Sequence, residues 1–403
     1  MHVYTGLLLG LSFIFLAIYF SIDVPFSAVF KYSRSYSDRM KIAESKNRAR
    51  LKKSLHYIYT RDEPMQKMPR LSEADDIDLL IVIVTVSREK YSREEKNGYL
   101  FQTATSMDKL MKSDEYFKKK AMVICNVNDD PEKHGDAVEL QSYLPFINKG
   151  GGNNLGFNVT VIPELQNCGL TDDARRKELI DYAFCLNVSH SIRHQYALFL
   201  EDDVIPYENL FKVLHHTLKY RHKRNKQFSF LKLYYPIRWQ GYAFEIDRIL
   251  ELISFGTLGG ALFSILAWYF EYDLPRKRKV KSNIGPFFIM GFLSFLIVAK
   301  IIGRMQVLEL RRITPHLSKL GPSPESCTQA MLYKRETLQD LIRHLLVNNS
   351  LNKDLAISDF AKKQGSSGYS LEPNLFAHTG MRTSFSSESK DPEEFLFNMP
   401  FLE

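Results

Sequence analysis

Three apolar stretches of membrane-spanning length divide this 403-residue chain and limit how it can fold. They cover residues 3–22, 252–270 and 284–303. Each is close to the roughly 20 residues that a helix needs to cross a bilayer. The second and third lie close together, so they predict a hairpin whose outer ends return to one side of the membrane. A buried core helix is the alternative for each stretch, and it applies best to the second, which contains three glycines.

The flanks of these stretches predict a topology. No basic n-region precedes the first stretch and no clear cleavage site follows it, which indicates an uncleaved anchor rather than a signal peptide. The loop 271–283 holds five basic residues, which favours the cytosol for that loop and the lumen for both outer ends of the hairpin. Lys31 and Arg34 follow the first stretch and favour the opposite orientation. Long domains, however, cross membranes largely regardless of charge, so we predict the lumen for the segment that follows the first stretch.

Charge and cysteine content narrow the function classes. The formal net charge is +8, but the basic clusters lie beside membrane-length apolar runs, so we interpret them as membrane flanks and expect no nucleic-acid partner. No C-x-x-C pair is present, which argues against a structural zinc site. Two disulfides in an oxidising lumen, in any of three pairings, and free buried thiols are equally compatible with the four cysteines. These are Cys125, Cys168, Cys185 and Cys327.

Strand and helix patterns alternate along the region between the first and second apolar stretches. We predict strands at 78–86, 121–127, 157–163, 197–204 and 228–235, with helices at 97–112, 174–187 and 207–220. The first of these strands is a continuous β-branched run, as expected of a buried parallel strand. The alternation is typical of an α/β sheet, in which ligands bind at the carboxyl ends of the strands.

Three consecutive acids end the predicted strand that begins at Ala197. Glu201, Asp202 and Asp203 would repel one another strongly without a positive partner. A divalent cation that carries a phosphate would provide one, because hard cations take carboxylate oxygens and keep positions open for phosphate. The alternative is a helix N-cap, with Asp203 as the capping residue ahead of Pro206.

Other polar residues occupy positions where a nucleotide or a phosphate could be bound. Thr85, Ser87 and Arg88 follow the first strand and are candidate nucleotide contacts, whereas Arg175 and Lys177 could offset phosphate charge or be surface charges. Asn-x-Ser/Thr sequons at Asn158, Asn187 and Asn348 lie in the flanks predicted to be luminal. His378, between an apolar run and a glycine, is either a hydrogen-bonded turn residue or a metal ligand.

With these motifs, the chain resembles a Golgi glycosyltransferase of the GT-A type and, more narrowly, the post-GPI-attachment GalNAc-transferase family. The resemblance rests on the amino-terminal anchor, the acidic triplet, the Leu-Lys-Leu-Tyr-Tyr-Pro strand, the hairpin and the segment 373–380. It implies an α/β GT-A-like domain interrupted by a two-helix transmembrane hairpin, with an N-terminal transmembrane anchor. The expected ranges are 1–24 anchor, 25–74 stem, 75–250 and 305–403 catalytic domain, and 251–304 hairpin.

The resemblance also implies a reaction. N-acetylgalactosamine would move from UDP-GalNAc, in β linkage, to the first mannose of the glycan of GPI-anchored proteins at the Golgi membrane. Asp203 would bind manganese, and Asp202 or Glu201 would assist through water or the ribose. His378 would complete the protein ligands of the metal or contact the diphosphate. Glu201 departs from the plain Asp-x-Asp motif. Inversion requires a base, for which Asp354 and Asp359 are candidates, although either could be a helix cap or a solvated acid.

Two other interpretations remain open from the sequence. One is a luminal glycosyltransferase that uses a different sugar or acceptor. The other is a non-catalytic three-span scaffold, which would not bind UDP in a manganese-dependent way. The oligomeric state and the disulfide pairing are not fixed by any of these patterns.

Overall fold

A computed structural model of the chain describes residues 2–60, 76–87, 98–156, 159–166, 173–221, 228–272, 284–348, 351–365, 367–381 and 390–397. The chain divides into two compact units. The helical unit comprises Met1–Lys41 and Ile237–Arg311, and the sheet unit comprises Ile42–Pro236 and Arg312–Glu403. The sheet unit is therefore built from chain segments on both sides of the inserted hairpin.

The elements alternate between helices and strands in the sheet unit. The helices are α1 (His2–Ser21), α2 (Ala28–Ser33), α3 (Tyr36–Tyr59), α4 (Tyr99–Ser113), α5 (Gly135–Leu140), α6 (Pro163–Gln166), α7 (Ala174–Ser191), α8 (Leu210–His216), α9 (Ile246–Tyr272), α10 (Ile284–Ile302), α11 (Arg304–Glu309), α12 (Arg335–Val347) and α13 (Lys353–Lys363). The strands are β1 (Ile77–Thr85), β2 (Lys120–Asn126), β3 (Phe146–Asn148), β4 (His194–Glu201), β5 (Val204–Pro206), β6 (Phe228–Lys232), β7 (Lys319–Pro322), β8 (Ala330–Lys334), β9 (Ser367–Glu372) and β10 (Phe376–His378).

The helical unit is organised around α9 and α10. Their segments Ile246–Tyr269 and Ile284–Ile302 are long and apolar enough to cross a membrane, which indicates a membrane protein. The backbones approach closely where Gly259 faces Gly291, since a Cβ added at either would lie within 2.6 Å of the other's carbonyl oxygen. The apolar part of α1, Gly6–Ser21, is shorter and packs against α10. Its role as an anchor stays a prediction.

The main sheet has eight strands in the order β3-β2-β1-β4-β8-β6-β9-β7. Strands β3, β2, β1 and β4 are mutually parallel, and β8 pairs antiparallel with both β4 and β6. Because β8 follows the hairpin in the chain, the insertion separates strands that are neighbours in space. A second sheet pairs β5 with β10 in antiparallel fashion.

Both faces of the sheet are covered, as the near-continuous apolar sequence of β1 predicts. Leu79, Ile81 and Ile83 pack on one face with α3, α4 and α8, whereas Leu80 and Val82 pack on the other with α7, α12 and α13. The segment expected to be a stem thus includes a 24-residue helix, α3, whose Ile58 belongs to the core. A disulfide between Cys125 and Cys185 ties β2 to α7. Cys327 is a free thiol, and Cys168 lies outside the described residues.

The predicted α/β fold class, with its inserted apolar helix pair, is confirmed, but one predicted strand is wrong. Residues 159–162 form no strand, and the helix α6 begins at Pro163. The third parallel strand is β3, which lies earlier in the chain. Val159 and Val161 instead pack against the core beside α7, and the Asn187 side chain donates a hydrogen bond to the carbonyl of Thr160. The apolar side chains of this run therefore pack against the core, although its backbone is not paired in a sheet.

Candidate active site

The carboxyl ends of the central parallel strands meet at one edge of the sheet. Thr85 is aligned with Asn126 of β2, and Glu201 of β4 is aligned with Val84. The acidic triplet turns away from β4 directly into β5, while α8 begins only at Leu210, with Asn209 at its N-cap. The triplet is therefore not a helix cap. It lies where α/β sheets bind their ligands.

Asp202 is held from within the protein. Thr85 Oγ1 donates a hydrogen bond to Asp202 Oδ2 at 2.6 Å, and His134 Nε2 lies 2.6 Å from the same hydroxyl oxygen. All three side chains are buried. Because the hydroxyl proton goes to the carboxylate, the imidazole must donate its own N–H to Thr85. This Asp202–Thr85–His134 chain fixes the middle acid and engages Thr85, which the sequence had suggested as a nucleotide contact.

Asp203 faces His378 across the small second sheet. Pairing of β5 with β10 sets Val204 opposite His378, and it brings the imidazole Nε2 to 3.2 Å from Asp203 Oδ2. The backbone N–H and the hydroxyl of Thr379 both donate to the Asp203 carbonyl. A Cβ at position 380 would lie 1.9 Å from Asp203 Oδ2, so Gly380 is required for the carboxylate to point this way. The structure thus brings together residues that are 175 positions apart.

Aromatic rings and a lysine surround this acid–imidazole pair. The His378 ring packs between Tyr234 and Phe395, each with its centroid 5.7 Å away. Lys390 Nζ lies 3.4 Å from His378 Nε2. Burial, together with the nearby carboxylates of Glu394 and Asp203, raises the pKa of Tyr234 well above its ordinary value. Tyr234 therefore stays a neutral phenol beside the pair over the physiological pH range.

Glu201 is paired with a buried lysine. Lys353, at the start of α13, lies 2.8 Å from Glu201 and 2.7 Å from Glu178 of α7, and it is only 5% exposed. Burial acts to lower the pKa of Lys353, but the carboxylates of Glu178, Glu201 and Asp354 outweigh it and raise that pKa well above its ordinary value. The lysine therefore remains charged, and the first acid of the triplet is neutralised by the protein itself.

Asp354 is adjacent to this pair and anchors the loop before β8. Its two carboxylate oxygens accept hydrogen bonds from the backbone N–H of Cys327 and from the Thr328 hydroxyl, both at 2.7 Å. Lys232, which is 1% exposed, donates to two carbonyls of the same loop, those of Pro324 and Ser326. Burial lowers the pKa of Lys232 to about 8 despite the nearby Asp354 carboxylate. The loop that contains Cys327 is thus fixed on two sides.

The remaining candidates from the sequence form their contacts with residues other than the triplet. Asp359 pairs with His344 and Lys363 on the outer side of α13. The Arg175 side chain is exposed on α7, whereas Lys177 pairs with Asp181 and Asp129 near the end of β2. The backbone N–H of Ser87 donates to Asn128 Oδ1. Arg88 lies outside the described residues.

The three sequons differ in accessibility. Asn187 is buried in α7, and its side-chain amide is hydrogen bonded to Thr160, so it presents no free amide for a glycan. Asn348 ends α12 and is partly exposed. Asn158 lies outside the described residues.

A divalent cation fits the Asp203–His378 pair in part. Within the described ranges, no cluster of three or more His, Cys, Asp or Glu side chains has metal-site geometry. Hard cations hold oxygen ligands at about 2.0–2.6 Å, so two ligands at right angles around one ion lie about 2.8–3.7 Å apart. The 3.2 Å separation between Asp203 Oδ2 and His378 Nε2 falls within that range. The pair could supply two ligands, with the rest left to phosphate and water.

Sequence reasoning missed several residues of this site. His134, Lys353 and Lys390 reach the triplet or its histidine through tertiary contacts alone. Lys353 had one available signal, since it directly precedes the candidate Asp354 in a helix that Asn352 caps. His134 had none, because it follows an irregular segment without periodicity.

A comparison with known protein families identifies the family of this chain. The sequence model of the family described as "GPI-N-acetylgalactosamine transferase PGAP4" matches residues 79–377, which include the triplet and extend across the hairpin. That match covers well over half of the 403 residues. The chain therefore belongs to the GPI-N-acetylgalactosamine transferase PGAP4 family, and it is a glycosyltransferase that acts on GPI glycans.

Proposed function

We propose that this enzyme transfers N-acetylgalactosamine from UDP-GalNAc, in β linkage and with inversion, to the first mannose of the glycan of GPI-anchored proteins. The observation that carries the proposal is the Asp203–His378 pair at the carboxyl edge of the sheet, in a chain of this family. The family supports a sugar-nucleotide donor. The choice of UDP-GalNAc, the linkage and the mannose are our inference from the family resemblance.

In this proposal Asp203 and His378 would hold manganese. When bound, the ion would neutralise the diphosphate as it leaves, the role of a Lewis acid. Asp202, whose carboxylate is fixed by the Thr85 hydrogen bond, would assist through water or the ribose. Lys390, close to His378 Nε2, would add a positive charge beside the phosphates. Glu201 would have a positioning role, because Lys353 already occupies its carboxylate.

We propose Asp354 rather than Asp359 as the base that accepts the proton of the mannose hydroxyl. Asp354 accepts hydrogen bonds from the loop that contains Cys327, and its neighbour Lys353 is paired with Glu201 of the triplet. A carboxylate has about four lone-pair positions, so Asp354 can accept another hydrogen bond beyond its two. Asp359 instead forms ion pairs with His344 and Lys363.

We place the sheet unit in the Golgi lumen. The Cys125–Cys185 disulfide supports an oxidising compartment. The basic sequence between α9 and α10 supports a cytosolic loop there. A glycolipid acceptor in the same membrane would then be presented at high effective concentration.

The metal assignment is tested by transfer from UDP-GalNAc to a GPI glycan, with purified full-length protein and graded manganese after chelation. We expect Asp203→Ala to lower kcat/KM by about 10³-fold or more, since it removes a ligand that acts on the leaving group. Asp340→Ala, an exposed carboxylate on α12, is the matched control and should leave activity unchanged. Full activity of Asp203→Ala would refute the assignment.

The base assignment is tested by Asp354→Asn beside Asp359→Asn. The amide keeps the shape of the carboxylate but cannot accept the proton, so we expect Asp354→Asn to lower kcat by about 10²–10⁴-fold. UDP binding, followed by calorimetry, should change little, which separates chemistry from folding. Equal activity losses in the two variants, or none in Asp354→Asn, would remove Asp354 from this role.

A further inference from the structure

The segment that leads into α9 exposes its large apolar side chains. Trp239 is 40% exposed, and Phe244 is fully exposed. Ile246 and Leu250 continue the same outward pattern into the first turns of α9. Soluble surfaces rarely carry so many large apolar side chains together, and such patches mark contacts with a partner or a membrane. We call Trp239, Phe244, Ile246 and Leu250 the collar.

Polar groups behind the collar point inward instead. Arg304 is 5% exposed, and its guanidinium donates two hydrogen bonds to the Glu251 carboxylate, both at 3.1 Å, and a third to the carbonyl of Gln240. Arg311 donates to the same carboxylate at 3.0 Å. A buried ion network therefore lies beside exposed aromatic and aliphatic groups, while the carboxylates of Glu245 and Asp247 are exposed between the collar residues. Ionisable groups at membrane depth show the same arrangement, because they face the protein and pair with one another.

The collar is held in place by its own hydrogen bonds. Arg248, in the first turn of α9, donates to the carbonyls of Trp239 and Gly241 and forms an ion pair with Glu245 at 2.9 Å. These contacts fold the segment 239–245 back onto the helix. The exposure of Phe244 is therefore a property of an ordered loop.

We propose that the collar lies in the interface between lipid headgroups and acyl chains, so its partner is the bilayer itself. The collar is continuous with the membrane-length segment Ile246–Tyr269, whose far end carries Trp268. Tryptophan concentrates at both membrane interfaces, and Trp239 and Trp268 flank the two ends of this helix. The proposal does not depend on the sugar or the metal of the reaction.

The test measures the depth of Trp239 in phosphatidylcholine vesicles that contain the full-length protein. The chain has two tryptophans, so Trp268→Phe leaves Trp239 as the only tryptophan emitter. Lipids with bromine near the headgroup end of the chain should quench Trp239 about twofold more than lipids brominated near the chain end. Acrylamide, which is added to the water, should quench it weakly. Trp268→Tyr replaces the phenylalanine variant if the latter does not fold.

Two further variants make the result specific to the collar. Phe244→Asp should reduce bromolipid quenching of Trp239 by about half, since a charge resists entry into the interface. In a Trp239→Phe background, the same substitution should leave quenching of Trp268 unchanged, which shows that the protein is still inserted. Strong acrylamide quenching without bromolipid quenching would place the collar in water and overturn the proposal. Protection from both quenchers would mean that protein covers the collar, and it would also overturn the proposal.

Discussion

The two units of this protein bury charge in opposite surroundings. Lys353 in the sheet unit and Arg304 in the helical unit are both 5% exposed, and each is paired with glutamate. Lys353 lies against the buried ring of Tyr182, at the apolar core of the sheet unit. Arg304 bonds Gln240 and Glu251, next to the exposed aromatic and aliphatic side chains of the collar. The comparison teaches that pairing of buried charge is common to both environments, whereas the outer surface differs with the solvent it meets.

The strongest test of the comparison removes the buried cation of the sheet unit. Lys353→Met leaves Glu178 and Glu201 without their shared partner. Breaking a fully buried ion pair costs about 3–5 kcal/mol, and because both glutamates are about a third exposed we expect about 2–3 kcal/mol here. We expect a loss of that size in the free energy of unfolding, measured by denaturant titration of the detergent-solubilised protein. A loss under about 1 kcal/mol would show that the pair is not stabilising as a pair.

The same helix supplies the control for this substitution. Lys362 on α13 pairs with Glu325 at an exposed position, and exposed pairs contribute about 0–1 kcal/mol. Lys362→Met should therefore change stability little. Adding Glu201→Gln to Lys353→Met should recover part of the loss, because it removes one of the two unpaired charges.

A second test uses pH on a buried neutral group of the sheet unit. Burial lowers the pKa of His194 from 6.5 to about 4, and Arg335 and His190 act in the same direction. The histidine is therefore neutral in the folded protein and gains a proton on unfolding at acid pH. Stability from this group is complete above about pH 6.5 and is lost as the pH falls towards 4, by about 3 kcal/mol at most. His194→Gln should flatten the unfolding free energy over that range, whereas His56→Gln, at an exposed position, should not.

The smallest expected effect concerns packing in the helical unit. A Cβ at Gly259 would lie 2.3 Å from the Phe295 ring and 2.6 Å from the Gly291 carbonyl oxygen. Gly259→Ala should therefore push α9 and α10 apart and cost about 1–2 kcal/mol, since overpacking outweighs the gain in helix propensity. Thr257→Ala, exposed on the same helix, is the control. An unchanged thermal midpoint for Gly259→Ala in detergent would mean that the helices do not pack at this point.

The sequence predicted the parts of the fold that have a strong local signal. The β-branched run of β1 and the apolar lengths of α9 and α10 predicted buried elements because composition alone requires them to leave water. The run at 157–163 carried the same signal and misled, since packing against α7 satisfied it without a strand. The short β3, at Phe146–Asn148, had too few residues to show a period.

In the candidate site, the sequence predicted only those residues that lie at the end of a clear apolar run. Asp203 was identified because it follows β4, and His378 because it lies between an apolar run and a glycine. The residues that bind the triplet and its partner Thr85 could not be predicted, because they come from distant segments of the chain. Lys353 pairs with Glu201, and His134 contacts the Thr85 hydroxyl that is bonded to Asp202. Glu201 illustrates the limit: the sequence shows an acid beside two others, and only the fold shows that a lysine neutralises it.

The position of β8 constrains the order in which the enzyme can be made. This strand is synthesised after the hairpin, yet it lies between β4 and β6, which are synthesised before it. A nascent chain that has been synthesised only as far as α9 contains neither β8, which pairs with β4, nor His378. This edge of the sheet can therefore complete its folding only after both membrane-length helices have been translated. A product truncated before β8 would lack both the strand that pairs with β4 and His378, so it could not form the Asp203–His378 pair.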